Sequence, residues 1–85
     1  MIPAGINPSA LEQAYAFFHQ KWQVYAHSTS EREMDHIEDV ISTYADAMSP
    51  SLFAAISSGN PSFLHEHITF SHDLSAAISL MEEWM

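Results

Sequence analysis

Apolar residues recur at alternating spacings of three and four along three stretches of the chain, which is the pattern of one face of an α-helix. The first stretch contains Leu11, Tyr15, Phe18, Trp22 and Tyr25. The second contains Met34, Ile37, Ile41, Tyr44 and Met48. The third contains Phe63, His67, Phe70, Leu74, Ala77, Met81 and Trp84. The pattern predicts three amphipathic helices whose apolar faces share one core.

Capping residues predict where the first two helices begin. Asn7-Pro8 combines a capping side chain with a proline, whose missing N–H has no cost in the first helical turn. We expect helix 1 to start there and to end near His27. Ser30 and Glu33 have the spacing of a capping box, in which each side chain accepts a hydrogen bond from the backbone of the other residue. Helix 2 is therefore expected to start at Ser30 and to end near Met48.

Two further proline pairs predict a short third helix and a long fourth helix. Ser49-Pro50 precedes residues 51–58, and Gly59 then supplies the residue that best tolerates a left-handed helix end. Asn60-Pro61 opens a last segment, which contains no further Gly or Pro before Trp84. We expect helix 4 to occupy this whole segment, either straight or with a bend near Thr69 to His72.

A strand is the alternative for residues 64–70, because polar and apolar residues partly alternate there. The two sets are Leu64, Glu66, Ile68 and Phe70 against His65, His67, Thr69 and Ser71. No second segment offers a convincing partner strand, and an unpaired strand would leave its backbone groups unsatisfied. Helix is therefore the preferred prediction for this segment.

These elements predict an all-α fold, a small antiparallel helical bundle of three long helices plus one short helix. The chain has 85 residues, of which 47% are hydrophobic and 15% charged, so its composition is that of a folded protein and not of a disordered one. Residues 1–85 are expected to form a single domain, because a chain of this length has enough apolar surface for only one core.

The charge balance restricts the classes of partner. Eleven acidic residues stand against Lys21 and Arg32, and the formal net charge is -9. Such a chain repels nucleic acid and anionic membrane, so neither is expected as a partner. A basic protein, or one with an exposed apolar groove, is expected instead.

Missing sequence features exclude further classes. The chain has no cysteine, which removes disulfides and thiolate-bound metals. Residues 1–10 have no signal-peptide pattern, and no run of about 18 apolar residues occurs. We therefore expect a cytoplasmic protein. No nucleophile motif, glycine-rich phosphate loop or zinc-protease motif is present, so we predict no catalytic residues, no cofactor and no enzyme activity.

Histidines provide the main candidate chemistry. The one cluster of ligand-type side chains comprises His65, Glu66, His67, His72 and Asp73. On a helix His65 and His67 would point about 200° apart, so no metal site is predicted, although a strand would place both on one face. His67 falls between Phe63 and Phe70 in the apolar pattern, and we expect it to be a buried, neutral core histidine.

Two surfaces are candidates for binding a partner. The acidic candidates on helix 2 are Glu31, Asp35, Glu38 and Asp39, which are expected to project away from the apolar face. The apolar candidates are Phe17, Val24 and Trp84, which belong to apolar stripes that exceed what one small core requires.

The sequence favours a noncatalytic acidic interaction protein, which binds and inhibits, neutralises or escorts a protein partner. Immunity proteins, enzyme antagonists and secretion chaperones are of this type. One alternative is a structural homo-oligomer, possible because a second copy would cover the excess apolar stripe. Another is a histidine-dependent module that binds a metal or a small ligand.

Overall fold

The computed structural model describes residues 2–85, and this range forms four α-helices. Helix α1 spans Pro8–His27, α2 spans Glu31–Ala47, α3 spans Pro50–Ser57 and α4 spans Phe70–Trp84. Within the same range there is no strand. The predicted all-α fold, with three long helices and one short one, is therefore confirmed.

Side-chain caps begin the first two helices where the sequence predicts them. The Asn7 side chain accepts a hydrogen bond of 2.8 Å from the backbone N–H of Ser9, and Pro8 occupies the first turn. The Ser30 hydroxyl accepts one of 3.3 Å from the backbone N–H of Glu33. Each contact satisfies a backbone donor that has no partner within its helix.

Helix α3 ends in a reversal of the chain that uses two left-handed residues. Ser58 has φ of 54° and Gly59 has φ of 83°. The sequence predicts the left-handed turn at Gly59, while Ser58 adopts it as well. The chain thereby turns back from α3 and enters residues 58–69, which we call the connector.

The prediction that helix 4 begins at Asn60-Pro61 is wrong, because the connector consists of turns and α4 begins at Phe70. The strand alternative for residues 64–70 is also wrong. Leu64 has φ of 64°, which ends any right-handed helix at that point. Its backbone N–H donates to Oδ2 of Asp73 at 3.1 Å instead of to a carbonyl four residues earlier. A side-chain acceptor has replaced the helical one.

Helices α2 and α4 both run antiparallel to α1. Near one end of α1, the Tyr15 hydroxyl donates to Oε2 of Glu82 at 2.9 Å. Near the other end, Tyr25 packs against Phe70 with 5.2 Å between ring centroids, and its hydroxyl donates to Glu38. The order of contacts along α1 is thus the reverse of the residue order in α4. It is reversed in α2 as well, where the earlier residue of α1, Phe18, packs against the later residue Tyr44.

One core lies between the helices and extends under the connector. The largest fully buried side chains are Phe18, Phe70, Leu11, Ile41, Leu52, Leu64, Leu74 and Met81. Most of them come from the three predicted apolar faces, which do converge. His67 is the exception, because its side chain is 75% exposed while Phe63 and Phe70 are buried. The prediction of a buried core histidine is wrong, because the turns of the connector break the helical register between these positions.

Candidate functional site

A groove of about 410 Å³ lies between α2 and the connector. Its lining residues are Asp35, Glu38, Asp39, Ser42, Leu64, His65, Glu66, His67 and Phe70. The floor is apolar, since Leu64 and Phe70 are buried. Four of the lining side chains are carboxylates. We call this feature the acidic groove.

The local sequence of α2 explains one wall of the acidic groove. Glu38, Asp39 and Ser42 follow Asp35 by three, four and seven positions, so they lie on the same side of the helix as Asp35. The neighbouring side, with Ile37 and Ile41, is buried in the core. The polar wall therefore stands directly beside the core, where the connector can lie against it.

His67 is bound to this wall through Glu38. Its Nδ1 donates a hydrogen bond to the Glu38 carboxylate and lies 2.9 Å from both oxygens. This hydrogen bond is the main cause that raises the pKa of His67 above its ordinary value, and the negative charges of Glu38, Asp35 and Glu31 act in the same direction. The protonated, positively charged form of His67 is thus favoured in the fold.

Glu38 also receives a hydrogen bond from α1. The Tyr25 hydroxyl donates to Glu38 Oε2 at 3.1 Å, and burial together with the charge of Glu38 raises the pKa of that phenol. The Glu38 side chain is only 15% exposed. The four acidic candidates of α2 are expected to project away from its apolar face, but Glu38 is largely covered by its neighbours, whereas Glu31, Asp35 and Asp39 are exposed.

His65 makes a second link between the connector and α2. Its Nε2 donates to Asp46 Oδ1 at 2.8 Å, and its Nδ1 lies 2.9 Å from the Ser42 hydroxyl. The ring also stacks on Phe53 of α3, with 6.3 Å between centroids. One histidine therefore ties the connector to two helices.

Ser42, His65 and Asp46 have the residue types of a hydrolytic triad, but their setting does not support that chemistry. Ser42 lies inside α2, where the backbone N–H groups are used by the helix and cannot form an oxyanion hole. The Asp46 side chain is 72% exposed, so its carboxylate is not shielded from water. The three residues position the connector on α2.

A buried carboxylate at the start of α4 holds the connector in shape. Asp73 is 8% exposed and accepts hydrogen bonds from the Leu64 backbone N–H at 3.1 Å and from the Thr69 hydroxyl at 3.2 Å. The exposed His72 has Nδ1 3.8 Å from Asp73 Oδ1. Asp73 thus fixes the segment that carries both groove histidines.

None of the apolar binding candidates Phe17, Val24 and Trp84 lines the acidic groove. Phe17 is partly buried and stacks on Tyr44 with 4.3 Å between centroids. Trp84 packs partly against the core at the end of α4 that lies near Tyr15. The groove residue Glu38 contacts Tyr25, which is ten positions, or about 15 Å along α1, from Tyr15. Val24 is 45% exposed.

Sequence reasoning misses the second wall of the acidic groove. It identifies Asp35, Glu38 and Asp39, whereas Ser42, Leu64, His65 and Phe70 belong to the groove without having been selected for it. The spacing within α2 could have added Ser42. The connector residues meet α2 across 19 to 29 positions of sequence, and no local pattern encodes such contacts.

The pair of His67 and Glu38 predicts a pH-dependent stability. A histidine whose pKa is raised by folding contributes stability that is fully present below its unfolded pKa of about 6.5 and is lost as the pH rises through its folded pKa. We therefore expect the difference in thermal midpoint between the wild type and His67→Gln to be larger near pH 6 than near pH 8.5. Thermal melts in buffer with a chelator measure this difference, and His36→Gln on the exposed side of α2 is the control. A difference that stays constant with pH would contradict the assignment.

None of the helices between residues 2 and 85 has the length and hydrophobicity needed to cross a membrane. The site itself combines a carboxylate-rich groove, an apolar floor and two histidine links. Comparison with known proteins adds no family, because no protein-family model, curated protein or solved structure matches the chain. Its function therefore has to be inferred from the site.

Proposed function

We propose that the protein is a noncatalytic binding domain whose acidic groove takes a cationic segment of a partner protein. The observation that carries the proposal is the placement of four carboxylates around a buried apolar floor. A domain of this kind would inhibit or escort the protein whose segment it covers. The sequence analysis expects either a basic partner or one with an exposed apolar groove. The proposal favours the basic partner.

The chemistry of the groove favours a segment in which Lys or Arg flanks an apolar residue. Asp35, Asp39 and Glu66 are exposed carboxylates that can pair with the cationic groups. Leu64 and Phe70 lie beneath them and offer an apolar floor for the methylene stems or for the apolar residue. Neither Lys21 nor Arg32 is among the described residues that line the groove, and His67 pairs with Glu38, so Asp35, Asp39 and Glu66 are the carboxylates offered to a partner's cations.

Long-range electrostatics support the same partner. The formal net charge of -9 attracts a basic protein from a distance and speeds its association, while like charge disfavours acidic proteins and nucleic acid. Attraction of this kind is screened by salt. Binding through the groove should therefore weaken as the ionic strength rises.

Charge reversal tests the groove directly. A fluorescent synthetic peptide with Lys flanking Leu is the probe, and fluorescence anisotropy measures its affinity. We expect Asp35→Lys/Asp39→Lys to weaken binding at least about tenfold, because both exposed carboxylates of one wall become cations.

The matched control reverses the same number of charges outside the groove. Glu12 and Glu33 are exposed and do not line the acidic groove. Glu12→Lys/Glu33→Lys should weaken binding less than about threefold, since it changes only the distant field. Equal effects of the two double variants would show that the peptide responds to net charge alone, and would refute binding in the groove.

The structural homo-oligomer has less support than this proposal. Apolar residues outside the three predicted helix faces are largely inside the fold, where Leu64 and Ile78 are buried and Phe17 packs on Tyr44. Within residues 2–85 the large hydrophobic side chains that stay exposed are Val24, Ile68 and Met85. They lie on α1, on the connector and after the end of α4.

A further inference from the structure

Three ligand-type side chains meet at one end of the acidic groove. Asp35, Glu38 and His67 each place one oxygen or nitrogen atom so that the three atoms lie within 4.8 Å of one another. The two carboxylates come from α2 and the imidazole from the connector, 29 positions after Glu38. The cluster is therefore created by the tertiary fold.

The separation of the closest atoms matches that of two ligands on one metal ion. His67 Nδ1 lies 2.9 Å from each Glu38 oxygen. Two donors bound at about 2.1 Å, at right angles around an ion, are themselves about 3 Å apart. The Asp35 oxygen lies within 4.8 Å of both other ligand atoms, a distance that a rotation of its exposed side chain can shorten. A three-ligand site requires this movement of Asp35 and replacement of the proton that His67 shares with Glu38.

The central ligand is already held in position. Glu38 is largely buried and receives the hydrogen bond of the Tyr25 hydroxyl, so its carboxylate has a fixed orientation. Outer hydrogen bonds of this type orient metal ligands and strengthen binding. The cluster thus combines one fixed ligand with two that are accessible from solvent.

Two cavities adjoin the cluster. Asp35 and His67 line the acidic groove and also a second cavity of about 360 Å³, whose other lining residues are Glu31 and Met34. Glu31 adds another carboxylate to the negative surroundings of His67. An ion bound here would keep room for several waters.

We propose that Asp35, Glu38 and His67 bind a divalent transition-metal cation, with water at its remaining positions. An imidazole nitrogen combined with two carboxylates suits Zn²⁺, Mn²⁺, Fe²⁺, Co²⁺ or Ni²⁺, whereas Mg²⁺ and Ca²⁺ prefer oxygen ligands alone. The ion takes the place of the proton on His67 Nδ1, so binding releases that proton and strengthens as the pH rises. This site goes beyond the proposed function and does not depend on it.

Titration with zinc chloride tests the site, with isothermal calorimetry as the measurement. We expect one ion per chain, and a loss of affinity of about ten- to a hundredfold for His67→Gln and for Asp35→Asn, because each removes a ligand. His67 and Asp35 are exposed, so both variants should fold, and circular dichroism confirms it. Chemical-shift changes of the His67 ring on adding zinc provide a second readout.

The control is His72→Gln, which removes an exposed histidine that lies outside the cluster. Affinity for zinc should be unchanged in this variant. If His72→Gln weakens binding as much as His67→Gln does, or if His67→Gln has no effect, zinc binds only to scattered surface histidines and the proposal is overturned. The cationic peptide is measured separately in buffer with a chelator, so failure of the metal site leaves the groove proposal standing, and the reverse also holds.

Discussion

Replacement of Asp73 by alanine should lower the free energy of unfolding by about 2–4 kcal/mol, because a buried backbone donor loses its charged acceptor. Asp73 is 8% exposed and accepts from the Leu64 N–H and the Thr69 hydroxyl. Leu64 is itself buried, so its freed N–H would have no water to replace the carboxylate. Asp73 also lies in the first turn of α4, where a negative charge is favourable.

Urea denaturation measures this loss, and two variants define its cause. Asp73→Asn retains an acceptor oxygen of the same reach, so it should be less destabilising than Asp73→Ala. Asp39→Ala removes the same charge from an exposed position and should change stability by no more than about 0.5 kcal/mol. If Asp73→Ala costs no more than Asp39→Ala, the hydrogen bond to Leu64 does not stabilise the connector.

The same variant should loosen the acidic groove. Asp73 fixes the part of the connector from which His65 and His67 reach α2. Hydrogen exchange of the Leu64 amide should therefore be faster in Asp73→Ala than in the wild type, beyond the change expected from global stability alone. This readout separates a local effect on the groove from a general loss of stability.

Leu64→Gly should destabilise the protein no more than Leu64→Ala does, although both variants lose a buried side chain. Leu64 is fully buried, and Leu64→Ala should cost about 2–4 kcal/mol through lost burial and the resulting cavity. Its φ of 64° costs a non-glycine residue about 1–2 kcal/mol, which Leu64→Ala retains and Leu64→Gly relieves. That relief offsets the additional loss of one methyl group, worth about 0.8 kcal/mol.

Leu74 is the matched control, because it is equally buried but lies inside α4 with helical backbone. There the order should reverse, with Leu74→Gly about 2 kcal/mol less stable than Leu74→Ala, because the helix penalty of glycine adds to the loss of one buried methyl group. Denaturation of the four variants provides the comparison. Suppose Leu64→Gly is less stable than Leu64→Ala by the same margin as at position 74. The connector is then not held in the left-handed conformation.

Local chemistry accounts for what the sequence predicts correctly. The caps at Asn7 and Ser30 lie within a few residues of the donors they satisfy, so a short window of sequence is enough to place both helix starts. The periodic apolar faces likewise predict which residues of α1 and α2 enter the core. For the acidic groove, the same reasoning finds the wall formed by Asp35, Glu38 and Asp39.

The connector shows where local reasoning fails. Residues 62–69 contain no Gly or Pro and continue an apolar pattern, so a long helix is the natural expectation. The side chain of Asp73, nine positions later, accepts the N–H that a helix would have used at Leu64. Propensity is a weak preference, and one buried hydrogen bond to a charged acceptor is large enough to override it.

The sequence by itself determined an acidic, all-helical chain, the caps of its first two helices and one carboxylate face on α2. Only the tertiary structure decided that Glu38 accepts a hydrogen bond from Tyr25, and that His67 lies outside the core and donates to Glu38. The physical reason is that these contacts join residues 13 and 29 positions apart. Their energies depend on how α1, α2 and the connector pack together, and no stretch of the sequence taken alone contains that packing.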